Sequence, residues 1–110
     1  MIIMEKKSGG FVYIITNRKN GVLYIGSTSD LVNRIFEHKH KMIPHSFSAK
    51  YNLDKLVYFE WFERLENMVV RERQMKEWKR DWKIQLIERN NPDWRDLYND
   101  LLIQSGFSVN

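Results

Sequence analysis

The amino-acid sequence predicts an α+β domain built on a small, mainly antiparallel sheet. Two runs rich in β-branched and aromatic residues, 11–16 and 22–26, flank a turn-forming segment that contains Asn-Gly, which is typical of a β-hairpin. A third such run covers 56–62, and stretches of helical character follow both the hairpin and the third run. The predicted order of elements is therefore β-β-α-β-α-α(-α).

The composition is ordinary for a soluble globular protein and excludes some kinds of site. The 110 residues suffice for one domain with its own core, which we assign to residues 1–110. No cysteine is present, so a bound metal would need oxygen or imidazole ligands, which favours Mg²⁺ or Mn²⁺ over zinc. The net charge of +4 favours an anionic partner such as nucleic acid, although many small proteins are mildly basic.

The N-terminal and hydropathy patterns predict a cytoplasmic protein. The apolar run 1–4 is too short for a signal peptide, and charged residues follow it directly. No stretch approaches the roughly 18 apolar residues that span a membrane, so no membrane contact is expected. Residues 5–10 form a polar lead-in to the first strand.

The hairpin register decides whether Tyr13 and Tyr24 share a face of the sheet. A two-residue turn at Asn20 and Gly21 pairs odd with even positions, so both tyrosines point to the same face. A five-residue loop over 17–21 places them on opposite faces. The sequence leaves both registers open.

The segment after the hairpin predicts a helix from about Asp30 to His40, with an N-cap within 27–30. Arg34 and His38 lie at i, i+4 beside its apolar stripe. The planar fork of Arg34 matches two phosphate oxygens, although such an arginine is also common as a surface charge. His38 either shares a site with Arg34 or is a structural histidine.

The second half of the chain predicts one strand and two or three helices. After a loop from His45 to Asn52, the strand over 56–62 is apolar enough to be central. Residues 66–89 are helical in character and long enough for two helices or a kinked one. Residues 93–102 predict a short closing helix.

Glu72 lies at the edge of a largely apolar helical face. That face contains Met68, Met75, Lys79, Trp82 and Leu86. A carboxylate facing a core is costly unless a cation accompanies it. That cation is either a lysine, Lys76 or Lys79, or a divalent ion held in a cleft.

Basic and aromatic side chains surround Glu72 and suit a nucleic-acid strand. The candidate nucleic-acid-binding residues are Lys76, Lys79, Arg80 and Lys83, together with Arg34. Trp78 and Trp82 lie among them and either stack on bases or belong to the core.

Taken together, these residues resemble the GIY-YIG nuclease superfamily over about 10–98. The resemblance rests on Val12-Tyr13-Ile14, on Tyr24-Ile25-Gly26, and on Arg34, His38 and Glu72. The runs 71–80 and 91–94 are similar to the tail of short, single-domain bacterial members related to the excinuclease catalytic subunit. The resemblance implies a three-stranded antiparallel sheet flanked by helices, with both tyrosines on the active face.

The resemblance also implies an activity, the metal-dependent endonucleolytic hydrolysis of DNA, in DNA repair or recombination. Glu72 is implied as the ligand of one Mg²⁺ or Mn²⁺ ion. Arg34 is implied to neutralise charge on the phosphate, and Tyr24 to activate water while Tyr13 positions water or phosphate. His38 is implied to orient Tyr24 or to accept its proton.

Three further positions bear on this assignment. Gly26 is expected to allow close packing between strand and helix. Phe11 stands where the family name has glycine, and Ser27 stands where the excinuclease relatives carry lysine, so one phosphate or tyrosine contact is missing. The late asparagine of some members corresponds to Asn90 or Asn91.

Two other functions compete with catalysis. One is a non-catalytic nucleic-acid-binding module of the same fold, and the other is a protein-interaction domain that uses the tryptophan-rich helices. Larger relatives use extra domains for substrate choice, so we also expect a protein partner or a homo-oligomer.

Overall fold

The computed structural model describes residues 9–107 and confirms an α+β fold. The elements in this range are β1 (Gly10–Thr16), β2 (Leu23–Thr28), α1 (Leu31–Lys39), α2 (Phe47–Lys50), β3 (Lys55–Phe62), α3 (Leu65–Glu77), α4 (Arg80–Asn90) and α5 (Tyr98–Gln104). No helix within this range is long and apolar enough to cross a membrane. The predicted polar lead-in, 5–10, falls mostly outside the described residues.

The three strands form one antiparallel sheet in the order β2-β1-β3. The central strand is β1, so the prediction that the third strand is central is wrong. Four consecutive β1 side chains, Val12 to Ile15, are at most 1% exposed, whereas Trp61 near the end of β3 is 43% exposed. Helices cover part of β3, which makes this edge strand as apolar in sequence as a central one.

The hairpin pairs Thr16 with Leu23 and leaves a six-residue loop, 17–22, which neither predicted register contained. As in the register of the two-residue turn, odd-numbered residues of one strand nevertheless pair with even-numbered residues of the other, for example Ile15 with Tyr24. Tyr13 and Tyr24 therefore lie on the same face of the sheet.

Each face of the sheet has its own core. On one face, Val12 and Ile14 pack with Ile25 against α3 and α4. On the other face, Tyr13 and Ile15 pack against α1 and α5. Because side chains alternate along β1, the central strand joins the two cores.

The long helical segment is divided into α3 and α4 at Trp78 and Lys79, whose ψ angles of 149° and 150° are extended. The break removes the continuous apolar face predicted across it. Met75 is buried, but Trp82 is 53% exposed and Lys79 is exposed at the start of α4. The core hypothesis for the tryptophans thus holds for Trp78, which packs against the core, but not for Trp82.

Two other predicted boundaries differ from the structure. The predicted loop from His45 to Asn52 contains the short helix α2, which Ser46 caps by accepting a hydrogen bond from the Ala49 N–H at 3.2 Å. The closing helix begins at Tyr98, five residues later than predicted, because the preceding segment forms a hydrogen-bonded turn at Asn91.

Asn91 is the buried asparagine of the pair 90–91 and joins α4 to the sheet. Its side-chain N–H groups donate to the Val57 carbonyl at 3.2 Å and to the Arg95 carbonyl at 2.9 Å. Its side-chain oxygen accepts the Arg95 N–H at 3.0 Å. Asn91 is 5% exposed, so these bonds satisfy groups that water would not reach.

We expect Asn91→Ala to lower the free energy of unfolding by about 1–3 kcal/mol, because it leaves buried backbone groups without partners. Urea denaturation followed by circular dichroism measures this change. Asn90→Ala is the matched control at an exposed neighbouring position. Equal stability of the two variants would show that the hydrogen bonds of the Asn91 side chain do not stabilise the fold.

Candidate active site

The two tyrosines and His38 meet on the face of the sheet covered by α1. Tyr13 projects from β1, Tyr24 from β2 and His38 from α1. The ring centroids of Tyr13 and Tyr24 are 6.4 Å apart, and His38 lies 5.8 Å from Tyr13 and 6.1 Å from Tyr24. Tyr13 is 1% exposed, whereas Tyr24 is half-buried and accessible to solvent.

A chain of hydrogen bonds runs from Tyr13 through His38 to α2. The Tyr13 hydroxyl is linked to His38 Nε2 at 3.0 Å, and His38 Nδ1 is linked to Ser48 Oγ at 2.9 Å. Ser48 Oγ lies 3.1 Å from Ser46 Oγ. The hydrogen bond of His38 thus goes to Tyr13, whereas the sequence-based hypothesis assigned it to Tyr24.

Burial determines the protonation states along this chain. Burial, and next the neighbouring Tyr24, raise the pKa of Tyr13 far above its usual value, although Arg34 acts in the opposite direction. Burial, and next the positive charge of Arg34, lower the pKa of His38 below 6.5, against a smaller opposing effect of Glu37. At neutral pH the pair therefore consists of a phenol and a neutral imidazole.

Arg34 lies beside the Tyr13 hydroxyl with a partly exposed guanidinium. Against the larger raising effect of burial, the charge of Arg34 and a hydrogen bond from its side chain lower the pKa of Tyr13. Arg34 Nε also lies 3.3 Å from Glu37 Oε1, one turn along α1, and the Arg34 side chain is 40% exposed. An exposed i, i+3 pair of this kind is weak, so Arg34 can leave Glu37 for a phosphate.

Gly26 makes room for Tyr13. A Cβ at position 26 would lie 2.5 Å from the Tyr13 Oη and 2.6 Å from its Cζ, closer than atoms pack. The constraint on Gly26 is therefore the Tyr13 ring on the adjacent strand, whereas the sequence-based hypothesis named the packing of strand on helix.

Glu72 approaches the same edge of the sheet from the other face. It lies on α3, where its Oε1 accepts a hydrogen bond from Ser27 Oγ of β2 at 2.5 Å. Its Oε2 lies 2.9 Å from Lys76 Nζ, so the ion pair considered from the sequence is present. Burial is the main reason that the pKa of Tyr13 is raised, and the Glu72 charge adds a small effect in the same direction.

The surroundings of Glu72 favour its ionised form. Partial burial opposes ionisation, but the donors Lys76 and Ser27, followed by the charge of Arg73, outweigh it and hold the carboxyl pKa below its usual value. Glu72 is thus a fixed, partly buried anion.

The donors present fit a metal ion held by few protein ligands. Within residues 9–107 no group of three or more histidines, aspartates or glutamates is placed to hold a metal ion, so a closed protein cage does not occur there. A single oriented carboxylate suits Mg²⁺ or Mn²⁺, which readily keep most of their waters. Glu72 fits this role, with Ser27 fixing one oxygen and Lys76 as the group that an ion would displace.

The predicted nucleic-acid-binding residues differ in their partners and in their exposure. Lys76 pairs with Glu72, and Lys83 Nζ lies 3.4 Å from the Lys76 carbonyl. Lys79 is exposed between α3 and α4. The Arg80 guanidinium donates to the Asn20 and Gly21 carbonyls of the hairpin loop at 2.8 Å and 2.6 Å and thereby holds that loop on α4.

Ser27 and Ser48 contact the site, but the sequence did not identify either as a functional residue. Ser27 was noticed only as a departure from the family pattern, although the side chain there orients Glu72. Ser48 lies in a segment predicted as loop, where no periodicity distinguishes it from other serines.

A second cleft lies away from these residues. It has a volume of about 620 Å³, lies between α1 and α5 and is lined mainly by apolar side chains such as Phe36 and Leu101. None of the five candidates for catalysis lines this cleft, so its apolar lining carries none of the chemistry considered above.

The fold and these side chains define a small single-sheet domain with a phosphate-compatible polar site at one edge. The sequence matches the GIY-YIG catalytic domain over residues 9–85, and the chain therefore belongs to the GIY-YIG nuclease family. The solution NMR structure of a UPF0213 protein from Bacillus halodurans is similar, with a TM-score of 0.51 and 25% identity over 80% of this chain and 92% of that one. No curated protein matches significantly.

We expect Gly26→Ala to destabilise the protein by about 1–3 kcal/mol, because the added methyl group forces the buried Tyr13 ring to move. Urea denaturation measures the cost in the wild-type and Tyr13→Phe backgrounds. The loss of stability should be smaller in the Tyr13→Phe background, because phenylalanine lacks the hydroxyl oxygen that lies nearest to the added methyl group. Ser29→Ala, at an exposed site, is the control. An identical cost in both backgrounds would exclude the Tyr13 hydroxyl as the source of the clash.

We expect stability to fall as pH drops below 6.5. Because the pKa of His38 is lowered in the folded protein, the unfolded chain binds the proton first, so the stabilisation is complete above 6.5 and is lost below it. Urea denaturation between about pH 5 and pH 8 gives the slope. His38→Gln should remove this component, and His40→Gln at an exposed site should retain it. An unchanged slope in His38→Gln would assign the effect to other groups.

Proposed function

We propose that this protein is a divalent-metal-dependent endonuclease that hydrolyses DNA phosphodiester bonds. The observation that carries the proposal is that Glu72 is hydrogen-bonded to Ser27 of β2 on one face of the sheet, while the Tyr13 hydroxyl, beside Arg34, lies over the neighbouring Gly26 on the other face. A cationic fork and a fixed carboxylate at one sheet edge supply the two charges that phosphodiester hydrolysis requires, one for the phosphate and one for a metal ion. Membership of the GIY-YIG nuclease family supports this choice.

In this proposal the residues on the Tyr13 face bind the phosphate and activate water. Arg34 neutralises charge on the non-bridging oxygens. Tyr13 is held as a phenol by burial, so its hydroxyl donates or accepts a hydrogen bond but does not serve as a base. His38 keeps that hydroxyl in place. Tyr24, which solvent reaches, is the better candidate for accepting a proton from water.

Glu72 would hold the metal ion, and Ser27 would keep its carboxylate oriented. A bound Mg²⁺ or Mn²⁺ ion would polarise the scissile phosphate and stabilise the leaving oxygen. Lys76 would exchange its partner Glu72 for a phosphate of the strand. By family resemblance, the setting we propose is DNA repair or recombination.

A non-catalytic nucleic-acid-binding module is the second candidate. The ion pair between Glu72 and Lys76 favours it, because in such a module the carboxylate would serve only to hold Lys76. The two functions predict different consequences of removing Glu72.

We expect purified protein to cut plasmid, branched or single-stranded DNA in Mg²⁺ or Mn²⁺ but not in EDTA. Glu72→Gln and Arg34→Ala should each reduce the cleavage rate by about 10²–10³-fold, because each removes one charge that stabilises the transition state. Gel electrophoresis of the timed reactions measures the rates.

Glu66→Gln on α3 and Arg89→Ala on α4 are the matched controls, since both positions are exposed. They should retain wild-type rates. Intact DNA under all conditions, combined with a salt-sensitive gel shift that survives Glu72→Gln, would instead establish the binding module.

A further inference from the structure

A cleft opens beside Tyr24, next to the candidate active site. Its lining consists of Leu23, Tyr24, Ile25, Phe47, Lys76 and Lys83, and its volume is about 360 Å³. Pockets of this size hold small organic groups. Because Tyr24 and Lys76 belong to both places, the cleft is continuous with the candidate active site.

Phe47 forms the outer aromatic wall of this cleft. Its ring centroid lies 6.1 Å from that of Tyr24 with an interplanar angle of 30°, and 4.7 Å from that of Tyr51. Phe47 is nonetheless 47% exposed. A phenylalanine that is about half exposed beside a site adds little to the core and provides a surface for stacking.

The site itself holds Phe47 in position. Phe47 is the first residue of α2, a helix of four residues whose N-cap is Ser46. Ser48 anchors the same helix to His38, which is linked to Tyr13. The aromatic wall is thus attached to the buried hydrogen-bond chain of the catalytic face and is not a freely moving loop residue.

Two lysines line the opposite side of the cleft. Lys76 and Lys83 lie one above the other across the break between α3 and α4, where Lys83 Nζ is 3.4 Å from the Lys76 carbonyl. Lys79 is exposed at that break. An aromatic face opposite lysines complements a nucleotide, whose base is planar and whose phosphate is anionic.

We propose that this cleft binds one unpaired nucleobase of a DNA strand, stacked on Phe47, next to the phosphate that is cut. Lys76 and Lys83 contact the backbone of the same strand. This inference rests on the proposed function for the identity of the cut phosphate, but the base-binding site itself does not depend on cleavage.

The cleft therefore selects the substrate class. A base in an intact duplex is paired and stacked, and placing it in the cleft would cost a few kcal/mol of unpairing and unstacking energy. A single strand, a flap or a branch presents an unpaired base without that cost. Substrates with single-stranded character at the cut site should be preferred over intact duplex.

Fluorescence anisotropy in EDTA tests base binding without cleavage. The probes are single strands of about 12 nucleotides, one of thymidines and one of abasic residues of equal length and charge. The full chain should bind the thymidine strand about tenfold more tightly. Phe47→Ala and Phe47→Leu should lose this preference, Phe47→Tyr should keep it, and Phe36→Ala, at a similarly exposed phenylalanine, should match the wild type.

Cleavage kinetics with a single abasic residue moved along a strand test the position. In the wild type, the rate should fall about tenfold when the abasic residue occupies one position near the cut. Phe47→Ala should be insensitive to it. Thermal unfolding of each variant establishes that α2 and the domain remain folded.

The outcomes separate the two proposals. One outcome is a preference for the thymidine strand that depends on Phe47, in a protein that cuts no DNA. It would support base binding in the cleft and overturn the proposed nuclease activity. Metal-dependent cleavage with equal affinity for both strands overturns the cleft and supports the nuclease. A loss of affinity in Phe47→Ala that is equal for thymidine and abasic strands also overturns base stacking.

Discussion

The Tyr13 hydroxyl lies over Gly26 of the neighbouring strand and is linked to His38 of α1, while its ring fills the core beneath. Three elements meet at this one side chain, because β1 carries it, β2 makes room for it and α1 provides its polar partner. A buried hydroxyl must have such a partner, so the position of α1 on the sheet is coupled to the hairpin register. Through Ser48 the same constraint extends to α2.

The site is arranged around one sheet edge and does not lie within one cavity. The Tyr13 face supplies a phenol, a neutral imidazole and a guanidinium, whereas α3 on the other face supplies the carboxylate. Keeping Glu72 across the sheet edge from Arg34 leaves both charges available to a ligand, because neither is the other's partner.

The element types and most boundaries could be predicted because they depend on local patterns, such as the hairpin residues and the N-cap Asp30, whose side chain accepts the Asn33 N–H. Two of the errors have the same origin. Trp82 fits the helical periodicity of α3, but that helix ends before Trp78. The strand β3 is as apolar as a central strand, although it lies at the edge of the sheet. Both features depend on how the elements pack in the tertiary structure, and sequence periodicity carries no information about that packing.

For the site, the sequence by itself determined the family, the oxygen- or nitrogen-only chemistry of any metal ligand, and the identities of Tyr13, Arg34 and Glu72 as candidates. Only the tertiary structure decided their partners. It assigned His38 to Tyr13, Ser27 to Glu72 and Arg80 to the hairpin loop. These contacts join residues distant in sequence, and a hydrogen bond between them leaves no periodic or spacing signal. For the same reason, the sequence did not indicate that Phe47 lies beside Tyr24.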